Sequence, residues 1–576
     1  MENQNWCSRI SKIAIGNEIR SFLEQSSVRG VSRAARKSLS KVLRGIWIIA
    51  IVASISITVW QLDKIIVKYM EYKSGTMMRE ALHKSVFPWV TVCNESPPTD
   101  GTFVYNWTQF AKNVEAMTKV FELVSASSLF MEKQITFLPS TMTKETAKTF
   151  LSWYGSLPGF VANLPLPTSP PDDSSSNGQM PFIVDCKYFD WQLNPFTDDI
   201  INCRETVRII YDFNYYHCYS FRVPAEDLAN KIRGLNVIFY LDDFASARYN
   251  YFKTDITMSQ SAGIKLSVHA PGTGSKIQMA EKIGPGIETL VHISQTKHSR
   301  LPAPYGTCSE QMNLSSVEIK EGDTVYTKDT CYGFCMQQVF MDSCRCVETE
   351  HPFYAVDIGQ KEQCFNYGMF NPDIISAIQI GISVFDFINK LPKWQTNFLY
   401  AKFGSLIESA VHGGQSNLAN AQCLLNLRAR LSEMLADCNC PAPCIEYTYD
   451  VTTIGSPWPH HSYQLAFYNK YIAPHPEIYG NKFDVYARIQ TDVANVSNAE
   501  IIKRLYDEKL IRKNFIRVNV LFDSYASIEI VTSAVMTVDQ LTSSVGGALG
   551  LWIGITTIFV MEMIDLLYKL LKIIFT

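Results

Sequence analysis

The sequence predicts an α+β membrane protein with two transmembrane helices per subunit and a large disulfide-rich extracellular domain. Three observations carry that expectation. An uncharged span, Gly45–Leu62, lies near the start, and a second uncharged run of 22 residues, Gln540–Met561, lies near the end. A helix rises about 1.5 Å per residue, so roughly 20 residues cross a hydrocarbon core about 30 Å thick. Between the two runs lie 14 of the 15 cysteines, from Cys93 to Cys444, an even number on one side of the membrane. Oxidised pairs belong to the exterior.

The chain has 576 residues, is 47% hydrophobic and 19% charged, and carries a net charge of −3. That balance says little about partners, and the length allows several domains. Residues 1–44 hold nine Lys/Arg, including Arg29, Arg33 and Arg44, against three acids, Glu2, Glu18 and Glu24. This excess beside a span keeps residues 1–44 cytosolic. A nucleic-acid arm is not expected directly beside a membrane. The first apolar run begins only at Gly45, so no cleavable signal peptide is expected. The first transmembrane helix is assigned to 45–67. Ser54, Ser56 and Thr58 recur at every second position in it and cannot share one helix face.

Two spans place residues 68–534 outside the cell. The sequons at Asn94, Asn106, Asn313 and Asn495 all fall there, each a candidate glycosylation site. Phe87–Cys93 reads as a strand, 108–155 as mainly helix, and 157–181 as a Pro/Ser/Asp-rich loop. Val207–Phe213, Leu235–Leu241, Gly263–Ala270 and Glu288–Gln295 are β-like. Residues 308–444 carry ten cysteines, and Asn371–Leu435 reads mostly as helix. A zinc reading of Cys344-x-Cys346 and Cys438-x-Cys440 competes weakly, because neither has the usual ligand spacing. Phe515–Phe522 and Ser527–Val531 are strands leading to the second transmembrane helix, 535–568, and a short cytosolic tail, 569–576.

The second run is unusual for an anchor. Four glycines, Gly546, Gly547, Gly550 and Gly554, fall within nine positions, and Glu562 and Asp565 follow on one helix face. In a membrane, small residues let helices approach or let the backbone open beside a cavity. Carboxylates beside a span face water, a partner or an ion path. Glycines above acids suggest a cation pore made by several copies. The competing reading is a packing helix whose acids already lie in the cytosol. No catalytic constellation stands out: there is no Gly-x-Ser-x-Gly, no His-Glu-x-x-His and no phosphate loop. His460-His461 and His269 read as structural, so neither an enzyme nor a metal site is expected.

Four blocks resemble the degenerin/epithelial sodium channel family: Phe87-Pro88-x-Val90-Thr91-x-Cys93-Asn94, Leu301-Pro302-Ala303-Pro304-Tyr305-Gly306-x-Cys308, Cys438-x-Cys440-Pro441-x-Pro443-Cys444, and Gly546-Gly547-x-x-Gly550-Leu551-Trp552-Ile553-Gly554. ATP-gated receptors, the other two-span channels, lack this cysteine order. The resemblance implies a homotrimer, or a heterotrimer with related subunits, in the plasma membrane with both termini cytosolic. Its exterior would form finger (roughly 94–185), thumb (roughly 308–444), palm, knuckle and β-ball. By family order the disulfides would be Cys93–Cys218, Cys186–Cys203, Cys308–Cys444, Cys331–Cys440, Cys335–Cys438, Cys344–Cys423 and Cys346–Cys364. The selectivity triplet falls on Gly554-Ile555-Thr556, with threonine where the family has serine. The gate, or degenerin position, falls on Ser543, and Gly547 and Gly550 line the same pore segment. Glu562 and Asp565 match the inner carboxylates, which in a trimer would form rings that concentrate cations.

The family's cytosolic His-Gly pair reads Arg29-Gly30 here. Arginine is always charged and would oppose cations, so either it turns to a carboxylate or lipid phosphate, or the subunit gates unusually. Relatives pack an aromatic in the Pro-Tyr-Gly turn against one above the first span, which implies coupling between Tyr305 and Tyr72, with Tyr69 second. Val67-Lys68-Tyr69-Met70 and Val268-His269-Ala270-Pro271-Gly272 look most like invertebrate peptide-gated, FMRFamide-type channels. The resemblance therefore implies a ligand-gated, amiloride-sensitive, sodium-selective channel with an extracellular peptide ligand. No cofactor is implied beyond the permeant Na⁺. Acid-sensing, constitutively open or mechanosensory channels compete, as do a non-conducting modulatory subunit and a tethered adhesion module.

Overall fold

The computed structural model describes residues 15–35, 39–81, 85–95, 182–190, 203–212, 215–223, 232–242, 261–309, 325–347, 364, scattered positions between 423 and 433, 438–524 and 526–575. The helical stretch expected at 108–155, the loop at 157–181, most of Asn371–Leu435, and Asn106 and Asn313 lie outside the described residues. Two compact units emerge: Met1–Met77 with Arg300–Cys308 and Val531–Thr576, and Met78–Ser299 with Ser309–Ile530.

The smaller unit is helical. Helix α1 (15–25) and the seven-residue α2 (Arg29–Ala35) precede α3 (Lys41–Met70). Helix α3 starts at Ser40, whose Oγ accepts the Leu43 N–H at 3.4 Å. Among the described residues it is the one helix long and apolar enough to cross a membrane. Its apolar sides are bare, with Ile49 70% and Trp60 64% exposed, an arrangement stable in lipid and costly in water. Two hydroxyls within it turn back on their own helix: Thr58 Oγ1 donates to the Ser54 carbonyl at 2.8 Å and Ser56 Oγ to Val52 at 2.9 Å. They are satisfied locally and need no water.

The expected second transmembrane helix is not one helix. It is α7 (Val538–Trp552) and α8 (Thr557–Phe575), separated at 553–556; helices α4 to α6 belong to the larger unit. The cause is Gly554, which adopts φ 78°, a left-handed conformation that ends helices and that glycine enters without steric cost. The N–H groups of Ile553, Gly554 and Ile555 all converge on the Leu549 carbonyl, at 3.2, 3.0 and 3.2 Å. The Thr556 carbonyl then accepts from Phe559 and Val560 and starts the next helix. Helix α7 begins as firmly as it ends: Thr537 Oγ1 accepts the Gln540 N–H, and Gln540 Oε1 accepts the Thr537 N–H.

The larger unit is built on two sheets. One is ordered β1-β12-β9-β11-β6-β3 with β10 on β9; the other is ordered β4-β5-β2-β7-β8. The strands are β1 (Ser74–Ala81), β2 (Trp89–Asn94), β3 (Ile183–Asp190), β4 (Val207–Asp212), β5 (Tyr216–Phe221), β6 (Ile232–Tyr240), β7 (Ile264–His269), β8 (Glu281–Ile283), β9 (Ile287–Ser299), β10 (Ile445–Pro457), β11 (Phe515–Phe522) and β12 (Ser527–Ala534). Side chains from both sheets, including Val90, Phe221, Phe239, Val291 and Val518, fill one core. Strand β6 is buried on both faces. Leu235, Val237 and Phe239 enter that core, while Ile238 and Tyr240 enter a second one with Phe467, Tyr486 and Ile511. This is why Ile232–Tyr240 reads as a nearly continuous apolar run.

Helix α4 (Lys328–Cys344) is stapled twice near its start. Cys331 bonds Cys440 and Cys335 bonds Cys438. Cys344–Cys423, Cys346–Cys364, Cys186–Cys203 and Cys93–Cys218 are also paired, the last directly across β2 and β5. Cys308 and Cys444 are oxidised as well, so all fourteen of these cysteines are disulfide-bonded. The zinc alternative for the two Cys-x-Cys pairs is thereby removed. Asn495 sits in an exposed turn between α5 (Asp484–Asp492) and α6 (Asn498–Asp507), and its sequon serine, Ser497, caps α6. Asn94 closes β2, half-buried beside Ile264 of β7.

Candidate ion path and coupling contacts

Sequence places the candidate pore residues in one stretch, and the fold gives that stretch a shape. Ser543, Gly547 and Gly550 recur at four- and three-residue steps, so they share a face of α7, and all three are exposed. No neighbouring atom lies within 4 Å of where a Cβ would stand at Gly546, Gly547 or Gly554. This small-residue face is open. The triplet Gly554-Ile555-Thr556 is the helix break itself. A backbone that leaves its helix inside an apolar stretch persists where it is buried in protein or lines water, not where it faces lipid.

The inner carboxylates are not both bare. Asp565 Oδ2 takes the Lys569 ammonium at 2.7 Å one turn along α8. Glu562 Oε2 accepts the backbone N–H of Ser27 at 3.0 Å. Phe22 of α1 packs on Phe559 with ring centroids 6.2 Å apart. Gly30 of α2 lies so close to α3 that a Cβ there would stand 3.3 Å from Ile51 Cγ1. Arg33 lies over the Trp47 ring at 5.2 Å. The side chain of Arg29 lies outside the described residues. Helices α3 and α7 are tied by a bond the sequence reading missed: Trp552 Nε1 donates to Gln61 Oε1 at 2.6 Å. An amide in an otherwise apolar run was the available signal, since such groups seek interhelical partners.

Tyr72 and Tyr305 meet. Their rings are edge to face with centroids 5.4 Å apart, and Tyr69 packs on Tyr72 at 5.7 Å. Tyr72 is held at φ 45°, an uncommon conformation for a bulky residue. Tyr305 also donates its hydroxyl to the Met536 carbonyl at 3.2 Å, one residue before the Thr537 cap. One ring therefore touches the end of α3 and the entry to α7. Its phenol pKa is raised, first by desolvation, then by Tyr69, which hydrogen-bonds it, and Tyr72.

We expect Tyr72→Ala and Tyr305→Ala each to weaken activation. An aromatic pair contributes ~0.5–1.5 kcal/mol beyond its area, up to about tenfold in an equilibrium. Tyr305→Ala should cost more, because it also loses Met536, and the double variant should match it. Additive losses in the double variant would separate the two rings.

In the larger unit, Glu529 is buried between cations. Arg79 donates from Nη2 at 2.6 Å and from Nε at 2.8 Å, and Lys297 Nζ lies 3.5 Å away. The Arg79 hydrogen bond, with Lys297 adding charge, holds the Glu529 carboxyl below its ordinary range against an opposing desolvation. Its stabilisation is present above the unfolded-state pKa and is lost as pH falls through the lowered folded-state value. In detergent, Glu529→Gln should lower Tm at neutral pH, and its gap to the native chain should close in strong acid. A gap that ignores pH would dismiss the ion pair as its source. His269 is also shifted. Burial pushes its pKa down to about 4, and its ring contacts Thr91 at 2.9 Å and Thr273 at 3.3 Å.

The fold and these contacts define a class: a chain with a disulfide-stapled double-sheet unit and a membrane-type helical unit whose second apolar stretch is broken. Residues 22–566 match the Amiloride-sensitive sodium channel family, and the chain belongs to that family of ion channels, not enzymes. It is similar to the FMRFamide-activated amiloride-sensitive sodium channel of Cornu aspersum, 25% identical over 400 residues, 63% of this chain and 58% of that protein. It is also similar to Degenerin-like protein asic-2 of Caenorhabditis elegans, 21% identical over 555 residues, 95% of this chain and 85% of that one. With Acid-sensing ion channel 4 of Mus musculus it shares 20% identity over 361 residues, 62% of this chain and 50% of that one.

Proposed function

We propose that the chain is one subunit of a trimeric, sodium-selective, amiloride-sensitive channel of the plasma membrane, opened by an extracellular peptide. Helix α3 and the α7–α8 pair are its two spans, with both termini cytosolic. The observation that carries the reading is the break at Gly554–Thr556, within the second apolar stretch. Three such segments around an axis would present backbone and threonine oxygens to a partly dehydrated cation. The open small-residue face of α7, with Ser543 as gate, supports close approach of copies. The peptide ligand is favoured by the likeness to the snail channel, which its name describes as FMRFamide-activated. Acid gating is disfavoured at two described groups. Glu529 is held ionised and His269 is held neutral across the mildly acid range where a sensor must titrate.

The test is expression alone in oocytes, with current recorded under amidated peptides, acid and amiloride. A peptide-evoked sodium current blocked by amiloride is the expected result. Current evoked only by acid would overturn the peptide reading. Arg29 and Thr556, where the family resemblance implies histidine and serine, favour one second reading, a modulatory subunit. Such a subunit would be silent alone and would alter the current of a related one.

A further inference from the structure

We propose that Glu562 is a positioning residue: it anchors the cytosolic segment before the first span to α8 by accepting the Ser27 backbone N–H. The assignment rests on the channel reading only in placing α8 beside the ion path. A carboxylate at this place invites the assumption that it faces the ions. Its geometry gives it a partner within its own chain. Glu562 Oε2 lies 3.0 Å from the Ser27 nitrogen, a charge-assisted bond spanning 535 positions of sequence. Three residues earlier on the same helix face, Phe559 receives Phe22 of α1. Two consecutive contacts thus dock the segment along one side of α8.

The turn that carries the donor is built to present it. Ser26 and Val28 are buried, at 7% and 5% exposure, while Ser27 between them is exposed. Ser26 Oγ accepts the Val28 N–H at 3.2 Å, and the Val28 carbonyl accepts from Ser32 at 3.1 Å and opens α2. With both Val28 backbone groups engaged, the Ser27 N–H is the one that meets Glu562. On the far side, α2 presses Gly30 against Ile51 and Arg33 against Trp47. The segment is therefore a wedge between α3 and α8, and Glu562 holds its outer edge. Nearby charges do not displace this role. Asp565 is occupied by Lys569 at 2.7 Å, so Glu562 is the carboxylate left to meet the segment.

The contact can be read without current. Cys7 is the only cysteine besides the fourteen disulfide-bonded ones, so Cys7→Ser with Val28→Cys gives one reporter thiol. In permeabilised cells, polyethylene glycol-maleimide labels that thiol when the turn lifts from its buried seat, and a gel shift gives the rate. With Glu562 native, labelling should be slow, and Glu562→Gln, which keeps an acceptor oxygen, should stay slow. Glu562→Leu should label at least about ten times faster, as loss of a charge-assisted bond implies. Ser27→Pro removes the donor just before a helix, where proline is tolerated, and should accelerate labelling as much. The double variant should be no faster than either single. Equal rates in all backgrounds, or a glutamine variant as fast as leucine, would overturn the anchor. So would slow labelling throughout with single-channel conductance lowered alike by glutamine and leucine, the signature of a ring charge alone. Absence of current from every version with the labelling pattern intact would instead sink the channel reading and leave the anchor standing.

Discussion

Gly554→Val should abolish current while the protein still reaches the surface. The site has room, because nothing lies within 4 Å of the added Cβ. The damage is conformational. A β-branched residue at φ 78° pays on the order of 1–3 kcal/mol for left-handed backbone. The cheaper alternative is to straighten the chain into continuous helix. That would break the convergence of Ile553, Gly554 and Ile555 on the Leu549 carbonyl and remove the helix break on which the proposed ion path depends. Gly554→Ala should fall between, with reduced current and altered selectivity. Surface biotinylation beside whole-cell current separates loss of conduction from loss of folding. Unaltered current and selectivity in Gly554→Val would remove this stretch from the ion path.

Ser543→Phe should do the opposite and give standing current without ligand. Ser543 is exposed on the same face of α7 as Gly547 and Gly550, small residues that span nearly two turns of the helix. If copies of that face meet when the channel is shut, a phenyl ring cannot enter the seam, and the shut state loses population to the open one. Ser543→Ala keeps the seam narrow and should remain silent at rest. The effect is read as amiloride-blocked current before any ligand. A silent Ser543→Phe at normal surface level would place the constriction elsewhere.

Much of the exterior fold could be read from periodicity. Phe515–Phe522 was expected as a strand over the range it occupies, and Leu235–Leu241 and Gly263–Ala270 differ from β6 and β7 by a few residues. Strands β1, β3, β5, β8 and β10 escaped, and β10 and β1 show two different reasons. Strand β10 carries a plain alternation, Ile445, Tyr447, Tyr449 and Val451 against Glu446, Thr448 and Asp450, and that signal was overlooked beside the cysteines. Strand β1 carries no such signal. Ser74–Ala81 is polar and exposed, and its pairing with β12 alone makes it a strand. The site divides in the same way. The glycine cluster announced an unusual helix, yet the break at 553–556 is set by one left-handed residue that no periodicity encodes. The Ser27–Glu562 bond was invisible because its donor is a main-chain group, and every residue except proline has one.

The two staples on α4 have a mechanical meaning. One disulfide is a ball joint, about which a helix can tilt and spin. Cys331 and Cys335 are four positions apart and therefore on one face, and both end in the short Cys438-Asn439-Cys440 stretch. Two fastenings about 6 Å apart along the helix remove the tilt. What remains at this end is the motion of a door, a swing about the line through the two cysteines, and the third staple, Cys344–Cys423 at the far end of α4, limits its reach. Whatever pushes on its outer face must therefore turn that line or do nothing. Cutting either fastening alone should restore the missing rotation without freeing the helix.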